Sequence, residues 1–463
     1  MSASSDEDLQ RVDLQNGRVL GWYVLSQSEA TGRFLQDVFA AADQQHQLPP
    51  AERSLAVDLA AGVVRRQRTL DHLLAAVISR PRADVERDLW RVLRIGVWQL
   101  LFSRVPAHAA VDTTVGLCRQ LGRSRWTGFV NGVLRNLGRL IRTNAGDGPS
   151  MVSFPAESGR FHCSTQPLFA DPEQEPARYA ATAFSLPDAL AARWAARMTP
   201  ADLWAVCQWS LQQPGQTLRI NRRLAKREDV VALFAAAGIE TRTGQLEESL
   251  SLCQSQRIDR LPGYADGLWS VQDESAMHVA QLVNPQPGER ILDLCAAPGG
   301  KTTHLAELSD DAARIVACDI SDSRLSRVRQ NAERLQLESI TTRLIQRDGS
   351  DLPVDEFDAV LLDAPCSNTG VLNRRPEARW RFSEDDSQEL AQLQRRLLQD
   401  ALQCVRPGGR VIYSTCSIEP DENEKVVQAV LASVPGCRLV QQQLFLPGRP
   451  ADGAFQAVLW RDT

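Results

Sequence analysis

Lysine is nearly absent from this 463-residue chain: Lys226, Lys301 and Lys425 stand against 49 arginines. Cationic positions are thus filled by a planar, bidentate donor, and Lys301, beside two glycines, reads either as a place where a compact ammonium is wanted or as chance placement. The ten cysteines include no C-x-x-C pair and no dense framework. That argues against structural zinc, any other metal and disulfides, and most of the thiols are expected to be buried small hydrophobes. No apolar run approaches the roughly 18 residues that span a bilayer, so no membrane partner is expected. Residues 1–10 are polar and acidic, without the apolar core of a secretory signal, so the expected location is cytoplasmic. The length exceeds what one hydrophobic core usually holds, which predicts two or three domains.

The net charge of −5 argues against a nucleic-acid partner, but the average hides an asymmetry. Residues 51–150 hold sixteen arginines, no lysine and eight acidic residues, a local balance of +8. Two readings remain open: solvated helical faces, or an electrostatic footprint for RNA. Apolar residues in this region recur at helical spacing, as in Val130, Val133, Leu134, Leu137, Leu140 and Ile141, and again in Val85, Leu89, Val92, Leu93, Gly96 and Leu100. An all-α bundle over 1–145 follows. Residues 146–184 collect Gly, Pro, Ser and acidic residues and read as a linker or insertion. Residues 185–265 mix short helical patterns with a strand near 217–221, a small α/β subdomain. From 266 to 463 strands at 290–294, 314–319, 342–346, 359–363 and 410–413 alternate with helices. Such alternation predicts a Rossmann-like, mainly parallel sheet that binds ligands beyond the carboxyl ends of its strands.

The strand at 290–294 runs directly into Cys295-Ala296-Ala297-Pro298-Gly299-Gly300-Lys301-Thr302-Thr303. Small residues and two glycines let the backbone approach a ligand closely, and the helix that opens there points its N–H groups at it. The spacing is neither G-x-G-x-x-G nor that of a phosphate-binding loop, so a packing turn and a nucleotide-like cofactor site both fit. Asp319 ends the next strand, where a carboxylate accepts from ribose hydroxyls, and Asp348 follows the third; for each acid an N-cap or turn role is the competing reading.

Two further strands deliver Asp363-Ala364-Pro365-Cys366-Ser367 and Ser414-Thr415-Cys416-Ser417 at their carboxyl ends. Two thiols beside one carboxylate suit a particular chemistry. Carbon 5 of a pyrimidine is too poor a nucleophile to attack a methyl sulfonium until a nucleophile has added at carbon 6, which a thiolate does well. A carboxylic acid at N3 and the amino group, here Asp363, stabilises the enamine. The carbon 5 proton must then leave before the thiolate can be eliminated, which gives a second cysteine, or a water it orients, a role. The target base has to leave its stack to reach such a pocket.

These motifs resemble the Nol1/Nop2/Sun family of RNA cytosine-5 methyltransferases. The resemblance implies that Cys416, in the Thr-Cys motif, is the nucleophile and that Cys366 assists product release. It also implies that S-adenosylmethionine contacts Cys295, Ala296, Ala297, Pro298, Gly299, Gly300 and Lys301, then Asp319, Asp348 and Asp363, and that Lys301 belongs to the catalytic set. Gln272-Asp273-Glu274-Ser275 and Leu218-Arg219-Ile220-Asn221 also look like family segments. The N-terminal bundle looks like the NusB RNA-binding fold through Ile95-Gly96-Val97-Trp98-Gln99-Leu100-Leu101 and Phe129-Val130-Asn131-Gly132-Val133-Leu134. That pairing is similar to the bacterial Sun/RsmB branch, which methylates a 16S ribosomal RNA cytosine, and implies RNA as partner, with no DNA and no obligate protein partner. Asn368 stands where the family commonly has Gly, and 151–181 looks inserted. The same chemistry on tRNA or another rRNA, a non-catalytic RNA-binding or antitermination factor, and a small-molecule methyltransferase are the competing readings.

Overall fold

Periodic apolar positions fold into helices through the first of two units, Met1–Gln212 with Arg375–Phe382; the second unit is Gln213–Arg374 with Ser383–Thr463. The computed structural model describes residues 13–46, 48–157, 159–254, 256–354, 356–449 and 451–462, so the acidic stretch read for a secretory signal lies outside the described residues. Among the described residues the first unit opens with seven helices: α1 (Gly17–Thr31), α2 (Leu35–His46), α3 (Pro50–Arg65), α4 (Gln67–Val77), α5 (Arg87–Phe102), α6 (Ala107–Gln120) and α7 (Thr127–Leu140). Helix α5 is buried on nearly every side, as a helix at the centre of a bundle must be. Gly62 of α3 lets it approach α5 closely: a Cβ there would stand 2.1 Å from the Trp98 indole nitrogen. On α7 the expected stripe Val130, Val133, Leu134 and Leu137 is the buried face.

The segment expected to be a linker is folded. It holds most of a three-stranded antiparallel sheet, β1 (Ile141–Gly146), β3 (Phe161–Ser164) and β2 (Ser153–Pro155) in that order, and the helix α8 (Pro176–Ala183). Composition misled because Gly, Pro and Ser dominate the average, while Phe154, Phe161, Phe169 and Tyr179 carry the burial. The Tyr179 hydroxyl donates to the Ser153 carbonyl at 2.9 Å.

Helices α9 (Asp188–Arg197) and α10 (Pro200–Leu211), within the 185–265 read as the small α/β subdomain, pack with the first unit. Residues 375–382, expected inside the catalytic domain, also belong there. The reason is Arg379, on the short helical turn Ala378–Arg381: fully buried, it donates to the carbonyls of Arg65, Ser185 and Ser210. Burial, then the charges of Arg65 and Arg66, pull its guanidinium down to about 9.

The second unit opens with a four-stranded antiparallel sheet, order β5-β6-β4-β7, formed by β4 (Gln216–Ile220), β5 (Thr241–Thr243), β6 (Ser249–Leu252) and β7 (Trp269–Val271), with α11 (Arg227–Ala236) packed on it. Helix α12 (Glu274–Val283) leads to the larger sheet. Its strands and helices are β8 (Arg290–Asp293), α13 (Gly300–Leu308), β9 (Arg314–Asp319), α14 (Asp322–Arg334), β10 (Ile340–Leu344), β11 (Phe357–Asp363), α15 (Glu384–Cys404), β12 (Val405–Thr415), α16 (Glu424–Ser433), β13 (Cys437–Phe445) and β14 (Ala454–Arg461). The order is β10-β9-β8-β11-β12-β14-β13, parallel through β12 and antiparallel for the last two strands. The central parallel strands are buried on both faces, while the edge strand β10 is half-buried or exposed along its length. Along β11, Val360 and Leu362 enter one core with α15 and α16, while Ala359 and Leu361 enter the other with α12, α13 and α14. That is the near-continuous apolar run of a sheet covered on both sides. Strand order reverses between β8 and β11, which places the ligand crevice beyond their carboxyl ends.

Candidate active site

The turn after β8 is shaped by contacts that need small residues. Gly299 has φ +98°, and a Cβ there would stand 3.1 Å from the Val328 Cα on α14. Arg324 donates to the Ala297 carbonyl at 3.1 Å and Asn331 to the Pro298 carbonyl at 3.0 Å, so the turn is held from α14. From beneath, the fully buried Arg219 of β4 donates to the Gly300 carbonyl at 2.7 Å, to both Glu307 oxygens at 2.9 and 2.6 Å, to the Thr303 hydroxyl at 3.0 Å and to Gln272. Three segments that sequence treats separately, 218–221, 272–275 and 295–303, meet at this one guanidinium.

Asp319 is buried at the end of β9, where it accepts from the Ser321 N–H at 3.1 Å and pairs with the half-exposed Arg324 at 3.3 Å. Asp348 is not brought into this network: it lies on an exposed turn past β10, and its carboxylate accepts from the Ser350 N–H and hydroxyl at 3.1 and 2.8 Å. Those bonds hold its pKa below the usual carboxylate value. Asp293, which sequence treats only as strand, is almost fully buried at the end of β8 and accepts from Thr302 at 2.6 Å. Its other oxygen finds no hydrogen-bond partner. Burial raises its pKa to about 7, against the Thr302 bond and with Asp363 adding to the rise.

At the chemical end, β11 and β12 pair in parallel with Asp363 opposite Ser414, so Cys366 and Cys416 leave adjacent strand ends together. Their Sγ atoms lie 3.2 Å apart. Asp363 accepts from Lys301 Nζ at 2.6 Å through one oxygen and from the Ser414 hydroxyl at 2.8 Å through the other. The Lys301 ammonium is mostly buried; burial alone lowers its pKa, but the charge and hydrogen bond of Asp363 outweigh that and raise it. Cys366 is held well above the ordinary thiol value, first by its hydrogen bond with Cys416 and then by burial. Cys416 donates to Asn368 Oδ1 at 3.2 Å.

Sequence reasoning missed the carboxylate that joins the two cysteine loops. Glu422, fully buried just past β12, accepts from the Ser367 N–H at 2.8 Å, the Ser417 hydroxyl at 3.1 Å, Gln394 at 3.2 Å and the Ser367 hydroxyl. Burial raises its pKa. Asn423 braces the Cys416 loop alone, accepting from Thr415 at 2.6 Å and donating to the Ser417 carbonyl at 2.9 Å. The only advance signal was an acid six residues beyond a strand-end cysteine.

Along the chain, 280–456 match the model for 16S rRNA methyltransferase RsmB/F, 186–259 the ferredoxin-like domain of Methyltr_RsmF/B-like proteins, and 17–139 the NusB family. Ribosomal RNA small subunit methyltransferase B of Vibrio cholerae is 34% identical over 96% of this chain and 98% of its own. The chain belongs to the RsmB family of RNA methyltransferases. The Pseudomonas putida member is 37% identical, covering 84% of this chain and 83% of that one. A methyltransferase homologue from Pyrococcus horikoshii of known structure is 26% identical, covers 61% of this chain and 98% of its own, and superposes with a TM-score of 0.54. RsmB-family membership makes the chain an RNA methyltransferase with an N-terminal NusB domain. Among the described residues no helix is long and apolar enough to cross a membrane.

The arginine excess of 51–150 divides on the structure. Arg65, Arg66, Arg91 and Arg94 are buried and work inside the fold; Arg91 and Arg94 bind Glu29, and Arg94 also binds Asp71. Arg80, Arg104, Arg119, Arg135, Arg139 and Arg142 are exposed. Four of the ten cysteines are fully buried, fewer than the expected majority.

Proposed function

We propose that the protein transfers a methyl group from S-adenosylmethionine to carbon 5 of a cytosine in 16S ribosomal RNA, with Cys416 as nucleophile. The pair of thiols 3.2 Å apart at neighbouring strand ends, beside the Lys301–Asp363 pair, carries this reading. S-adenosylmethionine, when bound, supplies an electrophilic methyl on a sulfonium. The residues present suit it: a small-residue turn at a helix N-terminus, the buried acceptor of Asp293 without a partner, and Asp319 at the strand end where ribose hydroxyls are bound. Cys295 through Lys301, Asp319 and Asp363 form that cradle, with Asp348 at its exposed rim.

Cys416 gives up its proton to solvent water and its sulfur bonds to carbon 6. Asp363 accepts from the amino group, and the Lys301–Asp363 pair supplies the proton that N3 takes up as the ring becomes an enamine. With the cofactor bound, carbon 5 would take its methyl as the methyl–sulfur bond breaks and the electron pair stays on sulfur as a neutral thioether. A water oriented by the Cys366 thiol, which is itself held protonated, takes the carbon 5 proton; the carbon 6–sulfur bond breaks, N3 returns its proton and Cys416 leaves as thiolate. The exposed arginines of the first unit provide phosphate contacts for the RNA.

A covalent trap tests this. Cys366→Ala, mixed with cellular RNA and S-adenosylmethionine, is expected to accumulate a protein–RNA species on a denaturing gel, and adding Cys416→Ala abolishes it. Sequencing the trapped RNA separates 16S rRNA from tRNA and other rRNA. A wild type that methylates RNA while neither variant alters turnover sinks the division of roles.

A further inference from the structure

Asn368 adopts the left-handed conformation, φ +61° and ψ +26°, which asparagine tolerates better than any other side-chain-bearing residue except aspartate. That backbone folds the carboxamide back over its own loop. Asn368 Nδ2 donates to the Cys366 carbonyl at 2.8 Å. The bond fixes which end of the amide faces which way, because only the NH2 end can donate to a carbonyl. Oδ1 is therefore turned to the Cys416 thiol, 3.2 Å away. We infer that Asn368 is a catalytic residue acting on the nucleophile: its amide oxygen accepts the Cys416 proton in a hydrogen bond and so keeps the sulfur a thiol while the site waits. This rests on Cys416 being the reactive thiol.

The two neighbours of Cys416 pull in opposite directions. The Cys366 thiol, held above the ordinary value by this contact and by burial, lies 3.2 Å from the Cys416 sulfur, where its S–H can donate and so favour the Cys416 thiolate. Asn368 Oδ1 can only accept, so it favours the thiol and repels the thiolate. The other titratable groups around the pair are Lys301 at the start of α13, Asp363 at the end of β11, Tyr413 on β12 and Glu422 beyond it. None of them is bonded to the Asn368 side chain in the two contacts that orient it. An amide at this position restrains premature reaction of the thiol pair with oxidants or electrophiles until an incoming base takes over the space.

The test needs no RNA. Purified full-length protein is alkylated with iodoacetamide across pH, and peptide mass spectrometry reads Cys416 against the exposed Cys253. Asn368→Gly keeps the left-handed backbone and removes only the amide; below its midpoint Cys416 should react about threefold faster, the low end for one hydrogen bond because S–H is a weak donor. Asn368→Asp sets a carboxylate against the sulfur and should slow the reaction. The high-pH plateau should be unchanged in Asn368→Gly. An unshifted midpoint, or a gain confined to the plateau through easier access, overturns the inference. If the alkylation order holds while no RNA adduct forms in Cys366→Ala, the proposed function fails and Asn368 still acts on the thiol. If the adduct forms and the midpoints coincide, Asn368 alone is wrong.

Discussion

Truncating Glu422 should loosen the Cys366 loop by an amount that can be worked out from its partners. Four donors converge on this buried carboxylate: the Ser367 N–H, the Ser367 and Ser417 hydroxyls, and Gln394. In Glu422→Ala the two hydroxyls can re-pair, because they already lie 3.2 Å apart and Ser417 also meets Thr369 at 3.1 Å. Gln394 keeps the Pro365 carbonyl at 2.8 Å. The Ser367 N–H has no such alternative, and one orphaned buried donor costs about 1–3 kcal/mol. A central value of about 2 kcal/mol corresponds to roughly thirtyfold faster hydrogen exchange at this loop. Because a two-unit chain need not unfold in one step, peptide-resolved exchange over 363–371 is the right assay, with β9 as an unaffected reference. Glu422→Gln retains one oxygen for the Ser367 N–H and turns its NH2 to hydroxyls that can accept, so exchange should stay within about threefold of wild type. Equal exchange in Glu422→Ala and wild type would refute the view that this carboxylate braces the two cysteine loops.

Arg219→Met leaves Glu307 as a buried charge, its side chain 3% exposed, and should lower stability by about 3–5 kcal/mol; an unchanged thermal midpoint for the second unit would count against its bracing role. Asp293 titrates near 7 in the fold because burial raises it, against an unfolded value of about 4. Between those values the native state holds a proton that the unfolded state has released, so stability falls as pH rises through that window. Asp293→Asn should flatten this fall, and parallel midpoint-versus-pH curves for the two proteins would contradict it. Phe154→Ala removes a fully buried ring from 146–184 and should cost about 3–5 kcal/mol, exposing the first unit to limited proteolysis; a linker would show no change.

What was legible in the sequence follows a physical line. β9 is bounded as expected and β11 begins two residues earlier, because a parallel strand covered on both faces is a near-continuous apolar run, whereas β12 begins five residues earlier and the exposed edge strand β10 is shifted by two. The antiparallel β13 escaped individual notice because it is an edge strand with no buried residue, exposed without a break from Val440 to Leu444, with Gln441, Gln442 and Gln443 in a row. The cofactor turn and the two thiols were readable because each hangs on a strand end that sequence can locate. The linker reading failed for the opposite reason: a few aromatic residues outweigh the composition around them.

Lysine rarity shows where such reasoning stops. It singled out Lys301, which the structure sets against Asp363 at 2.6 Å. Yet Lys425 is equally rare and merely pairs with Asp421 on the surface, its side chain 63% exposed, so scarcity alone does not select a functional ammonium. What distinguishes Lys301 is that it opens a helix directly after a buried strand, where its chain must reach over the crevice toward the end of β11. Glu422 and Arg219 carry no such mark, since acids and arginines are common and nothing local says that these two are buried. Their roles exist only once two loops and a helix, or three segments, have been folded onto one charge. Residues that act on substrate can therefore be read from strand ends, whereas the residues that hold them are visible only in three dimensions.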